Sequence, residues 1–100
     1  MAVYTRAYLP YPQTDVEVVY FDKIMYWIAA YGKYYPVFTE PVKDNDAEDR
    51  GNMKRKIKQC TVFMCYMAPY EMNERARTEY EYAREKEMSI VPILLTSGGT

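Results

Sequence analysis

The sequence predicts an α/β layered fold built on a parallel sheet. Residues 61–67 (TVFMCYM) and 89–95 (SIVPILL) are short and almost wholly apolar. A strand that is apolar at every position needs cover on both faces, as in a sheet sandwiched by helices. Residues 73–87 between them are long enough for the crossover helix that a parallel pair requires. Strand-like and helix-like stretches alternate through the rest of the chain, in the order β–α–β–α–β–α–β. The simplest right-handed solution is a flavodoxin-like, three-layer arrangement of about four strands in the order 2-1-3-4. With 100 residues, positions 1–100 make a single domain.

The first strand falls within residues 3–11 (VYTRAYLPY), with Pro10 ending it. Arg6 conflicts with a buried strand, so a shorter strand over 6–9 is the alternative. The loop after it, residues 10–14, lies at the carboxyl end of the sheet, where open α/β folds bind ligands. A first helix is expected over 16–31. Thr14 is its N-cap, Asp15 and Glu17 favour its positive end, and Gly32 caps its C-terminus. Val18, Phe21, Ile24, Met25 and Ile28 recur at helical spacing as its buried stripe.

Residues 33–38 (KYYPVF) form the second strand, and Pro36 assigns it to a sheet edge. Residues 39–49 (TEPVKDNDAED) are polar, acidic and turn-rich, and read as a surface loop. A second helix is expected over 49–59, with Met53 and Ile57 inside and Lys54, Arg55, Lys56 and Lys58 on a solvated face. After residues 61–67 come a loop over 68–72, the third helix and the last strand. Residues 96–100 are a tail.

Composition narrows the function classes. There are 13 basic and 14 acidic side chains, a net charge of −1, which argues against a nucleic-acid module working through a broad basic field. The chain has no histidine and only Cys60 and Cys65 as thiols, which argues against a zinc site and removes histidine acid–base chemistry. The start, MAVYTRAYLPYPQ, has no apolar core of a signal peptide, and no run approaches a membrane span. A soluble, cytoplasmic protein is the expectation. The 12 tyrosines suit strand packing at sheet edges, or alternatively a protein or base-stacking surface. Trp27 reads as a core or rim aromatic.

The third helix holds the residue of greatest chemical interest. Ala76, Tyr80, Ala83 and Glu87 share one stripe, while Arg77, Glu81, Arg84 and Glu85 lie opposite. Glu79 flanks the packed stripe near the ligand end of the sheet. A carboxylate beside an apolar seam is expected to have a raised pKa, and such groups cluster at functional sites. Helix geometry alone favours an ion pair with Arg75 or Arg6 over catalysis. Glu74 and Glu81 read as ordinary surface charges.

The run Asn73, Arg75, Arg77, Glu79, Ala83, then Ile90-Val91-Pro92-Ile93-Leu94-Leu95, resembles the third helix and fourth strand of TIR domains. Tyr8-Leu9-Pro10-Tyr11 followed by Asp15 loosely resembles their opening motif. Arg75 stands where that family has a tryptophan, and Pro10 where it has a serine. The likeness is to short TIR-like proteins of bacterial, archaeal and phage genomes, including those of Thoeris type. It implies that Glu79 is the catalytic residue, acting on the nicotinamide ribose of NAD as substrate. Tyr8, Tyr11, Arg6 and Arg75 would line the substrate site, with Tyr11 stacking on a ring. No further cofactor is implied. A catalytically silent interaction module, homo-oligomeric or bound to a TIR-like partner, is the alternative from another class. The chain is also similar to nucleoside 2-deoxyribosyltransferase-like proteins, with Gly32 before the second strand and a helix-borne glutamate. In those proteins the glutamate is a nucleophile at the sugar carbon. Both enzyme families would use Glu79 to break an N-glycosidic bond.

Overall fold

The computed structural model describes residues 5–66 and 72–93. The elements are β1 (Thr5–Tyr8), α1 (Asp15–Tyr31), β2 (Tyr34–Val37), α2 (Asp46–Ile57), β3 (Val62–Cys65), α3 (Glu74–Glu85) and β4 (Ser89–Pro92). The strands form one four-stranded sheet in the order β2-β1-β3-β4, with every neighbouring pair parallel. This is the expected flavodoxin-like α/β arrangement. Right-handed crossovers put α1 on one face of the sheet and α2 and α3 on the other. In agreement, α2 packs against α3. Strand positions expected at 3–4, 67 and 94–95 lie outside the described residues, as do most of the loop at 68–71 and the tail at 96–100.

Local chemistry explains the helix bounds. Thr14 accepts the Glu17 N–H at 3.2 Å, while the Glu17 carboxylate accepts the Gln13 N–H at 3.0 Å. Orphan donors at the start of α1 are thus satisfied by side chains. At the other end Gly32 has a φ of 64°, the left-handed conformation that costs glycine little. Helix α2 begins at Asp46, earlier than the expected 49, because Asn45 caps it by accepting the Glu48 N–H at 3.0 Å. Asn73 caps α3 in the same way, accepting the Ala76 N–H at 2.8 Å.

The core joins Ala7, Tyr8 and Leu9 of the β1 region with Phe63 and Met64 of β3, Ile24 and Ile28 of α1, Ile57 of α2, and Ala76 and Ala83 of α3. The expected stripe of α1 needs one correction. Val18 is exposed, because the buried arc centres on Ile24 and Ile28 with Phe21 and Met25 at its margin. Strand β2 lies at the sheet edge, as Pro36 suggested. The Leu9 N–H bonds the Val37 carbonyl and the Thr5 N–H bonds the Lys33 carbonyl. Odd-numbered residues of β2 therefore turn their backbone groups toward β1, and Pro36 falls at an outward-facing position. No helix among the described residues is long and apolar enough to cross a membrane.

Candidate functional site

The site forms where four segments meet at the carboxyl end of the sheet. Tyr8 is the last residue of β1, Thr39 follows β2, Asp49 lies in the first turn of α2, and Arg75 and Glu79 lie in α3. The sheet-facing side of α3 is Ala76, Glu79 and Ala83. The two alanines have no side-chain bulk, so the helix sits close to the strands and the longer Glu79 reaches inward. Glu79 is 1% exposed, among the most buried side chains of the described core. It does not flank the packed stripe; it is part of it.

Each carboxylate oxygen of Glu79 has a different neighbour. Oε2 accepts a hydrogen bond from the Tyr8 hydroxyl. A phenol has one proton, so Thr39 Oγ1, 2.8 Å from the same hydroxyl, lies on its accepting side. Oε1 faces Arg75 Nη1 at 3.6 Å, too far for a hydrogen bond. Both of these atoms are buried and neither has a hydrogen-bond partner.

The rest of the Arg75 guanidinium is fully engaged. Nε donates to Asp49 Oδ2 at 2.8 Å, and Nη2 donates to Asp49 Oδ1 at 2.9 Å and to the Thr39 carbonyl at 2.8 Å. This is the bidentate geometry that suits a planar guanidinium. Asp49 also accepts the Val42 N–H at 3.2 Å, which ties the β2–α2 connection to the same cluster.

The electrostatics follow from this layout. Burial pushes the Glu79 carboxyl up from 4.5 to about 7. The Tyr8 hydrogen bond and the Arg75 charge pull it back, and Asp49 adds a smaller upward push. Burial raises the Tyr8 phenol well above its ordinary range, and the Glu79 charge raises it further. Hydrogen bonds from Arg75 hold Asp49 below the usual carboxylate range. Burial works against the Arg75 charge, but Asp49 and Glu79 outweigh it, so the guanidinium is held above its ordinary value. The result is a carboxyl that changes charge near neutral pH, next to a cation that does not.

Beside this cluster lies a cleft of about 370 Å³, lined by Gln13, Asp49, Arg50, Asn73, Arg75 and Thr78 among others. Arg75 and Asp49 belong to both the cleft wall and the buried cluster. Glu17, itself buried, links the loop after β1 to the start of α3 by accepting from Asn73 Nδ2 at 3.3 Å.

Of the residues expected at the site, Glu79, Tyr8 and Arg75 come together. Tyr11 does not join them. Its ring packs at 6.3 Å from Phe21 and 6.0 Å from Phe38, in an aromatic cluster between α1 and the end of β2. Arg6 is also elsewhere: it is exposed, in the first half of β1, and its carbonyl accepts the Thr61 N–H at 3.1 Å. Its charge acts on Cys60, whose thiol burial pushes up to about 11. Arg6 is therefore not the partner of Glu79; Arg75 is. Thr39 and Asp49 were read as parts of a surface loop, and both are buried. The signal that could have found them is arithmetic: an arginine one turn from a buried glutamate still has donors to satisfy. No protein-family model matches the chain, and no curated protein matches it.

Proposed function

We propose that this protein is an enzyme that breaks the N-glycosidic bond of a nucleoside or nucleotide, with Glu79 as the catalytic carboxylate. The observation that carries the reading is a fully buried carboxylate at the ligand end of the sheet, with one oxygen held by Tyr8 and the other without a hydrogen bond, facing the Arg75 guanidinium at 3.6 Å. A glutamate with a single oxygen not committed to a hydrogen bond suits attack at one carbon. It suits less well a grip on two vicinal ribose hydroxyls, which takes both oxygens. The nucleoside deoxyribosyltransferase-like reading is therefore favoured over the TIR-like, NAD-consuming one, although both rest on Glu79.

In this reading Glu79 Oε1 forms a bond to the anomeric carbon as the carbon–nitrogen bond breaks and its electron pair leaves with the base. The base takes a proton from solvent or from a side chain beside it. Water or a second base then displaces the sugar from the carboxylate, restoring Glu79. Tyr8 fixes the carboxylate's orientation through Oε2 and stabilises the charge that returns to it when the sugar leaves. Substrate entering from the cleft meets Arg75 first, so Arg75 must give way for Oε1 to be reached. The nucleophile must be ionised, so turnover rises as pH increases through about 7. The reading carries a cytoplasmic location with it, because free nucleosides and NAD are intracellular metabolites.

The test is incubation of the purified 100-residue chain with 2′-deoxynucleosides and their monophosphates, and in a separate arm with NAD, following release of free base or nicotinamide. Release from the deoxynucleosides that disappears in Glu79→Gln supports the proposal. Release from NAD alone supports the TIR-like reading instead. No release in either arm, or release that Glu79→Gln leaves unchanged, sinks the enzyme assignment.

A further inference from the structure

Glu79 Oε1 and Arg75 Nη1 face each other at 3.6 Å, both buried and both without a hydrogen bond. The two residues stand one turn apart on α3, a spacing at which opposite charges ordinarily meet. A charge-assisted hydrogen bond between them would be about 2.7–2.9 Å long, and forming it would satisfy both buried atoms at once. The open gap therefore needs a cause, and it lies on the other side of the guanidinium. Nε and Nη2 donate to the two oxygens of Asp49 at 2.8 and 2.9 Å, and Nη2 also donates to the Thr39 carbonyl at 2.8 Å. A guanidinium is planar and rigid, so these three bonds fix the position of Nη1 as well. Asp49 is itself anchored: it sits in the first turn of α2 and accepts the Val42 N–H at 3.2 Å.

We propose that Asp49 is a positioning residue for the reaction: its grip on Arg75 holds the arginine off Glu79 and leaves Oε1 available to the substrate. This role rests on the assignment of Glu79 as the reacting carboxylate and adds what keeps that carboxylate usable. A fully hydrogen-bonded pair with Arg75 would stabilise the ionised carboxylate and lower its nucleophilicity, and it would have to break before Oε1 could reach a carbon. At 3.6 Å, moving the arginine aside breaks no hydrogen bond between the two. The titratable and charged groups around Glu79 are Tyr8 of β1, Tyr66 after β3, Asp49 of α2 and Arg75 of its own helix. Arg75 is the one cation in that set, so its position decides how strongly the carboxylate is held. The sharing of this cation agrees with the proposed role. Its hydrogen bonds hold Asp49 below the usual carboxylate range, while burial takes Glu79 up to about 7.

The experiment is a carbon-13 NMR titration of the Glu79 carboxyl in the 100-residue chain and in Asp49→Asn and Asp49→Ala. Freed from Asp49, Arg75 closes on Oε1, and the Glu79 midpoint is expected to fall from about 7 by roughly 1–3 pH units. Loss of the Asp49 charge by itself also lowers the midpoint, so Asp49→Asn is repeated in Arg75→Met, where most of the fall should disappear. A crystal structure of Asp49→Ala is expected to show Nη1 and Oε1 at hydrogen-bond distance. Base release by Asp49→Asn should lose kcat with little change in KM, and Asp49→Glu should recover part of it. The unsubstituted chain supplies a check that no substitution can spoil. Its Arg75 Nε–H signal should keep its Asp49-bonded position as pH rises through about 7, although Glu79 ionises beside it. A midpoint that both Asp49 variants leave unchanged overturns the proposal, and so does a fall that persists in full without Arg75. An arginine that stays off Oε1 in Asp49→Ala, or an Nε–H signal that leaves Asp49 as Glu79 ionises, overturns it equally. None of these four readings needs turnover, so their failure is separate from a failure of the Glu79 assignment.

Discussion

Helices α1 and α3 solve opposite problems on opposite faces of the sheet. Helix α1 has more apolar surface than the sheet can cover: Ile24 and Ile28 are buried, while Tyr26 and Tyr31 stand in solvent. Helix α3 has fewer large apolar side chains and buries a carboxylate between two alanines. Folding explains the inner face of α1 completely and its outer face not at all. The reverse holds for α3, where the surface is ordinary and the buried side is the costly part. A buried ionisable group lowers stability unless its partners are well placed. Thus the residues that sacrifice stability lie inside on α3, and those that sacrifice solubility lie outside on α1.

The sharpest way to break this contrast is to remove Arg75. Arg75→Met leaves Asp49 and the Glu79 charge without their cation. Above pH 7 it is expected to cost about 3–5 kcal/mol in chemical denaturation, and less in acid where Glu79 carries no charge. Next in size is the pH dependence of stability. Glu79 is raised from 4.5 unfolded to about 7 folded, so the folded state holds its proton more tightly. The resulting stabilisation is complete below pH 4.5 and is lost as pH rises through about 7. The loss amounts to about 3 kcal/mol, at 1.36 kcal/mol per pH unit. Urea titrations of the native chain and of Glu79→Gln at several pH values check this. The difference between the two chains should change by that amount in Gln's favour as pH rises.

Tyr8→Phe comes third. It leaves Glu79 Oε2 without a donor and Thr39 Oγ1 without its phenol, for about 1–3 kcal/mol by the same titration. It also removes a hydrogen bond that lowers the Glu79 pKa, so the carboxyl should titrate still higher by NMR. The smallest effect belongs to the outer face of α1. Tyr26→Ser should change the stability of the dilute chain by no more than about 0.5 kcal/mol, since the side chain has little to lose on that surface. A large loss there would show that Tyr26 supports the monomer, and the contrast between the helices would fail.

The strand order, the caps at Thr14 and Gly32 and the raised pKa of Glu79 at the ligand end of the sheet were legible because each depends on near-neighbour chemistry or on an apolar run. Residues whose role depends on distant partners were not. Asp49 sits in a stretch, 39–49, whose composition is that of a solvated loop, and only the fold brings Arg75 to it across 26 positions. Thr39 is buried by the same meeting of segments. Arg6 was misplaced because its charge suggested a partner for Glu79, whereas it stands exposed in the first half of β1, away from the carboxyl end that Tyr8 occupies. Tyr11 was placed in the right loop, but a tyrosine next to Phe21 and Phe38 is drawn to apolar rings rather than to an open cleft.

Pro36 stands on the free edge of β2, at a position that looks away from β1. It breaks no bond within the sheet, and it deletes a donor from the margin where a foreign extended chain would lie. A strand laid along that margin finds its ladder interrupted in the middle of β2 and cannot zip. On this side the molecule is protected against amyloid-like growth, and any association there must be made through side chains rather than backbone.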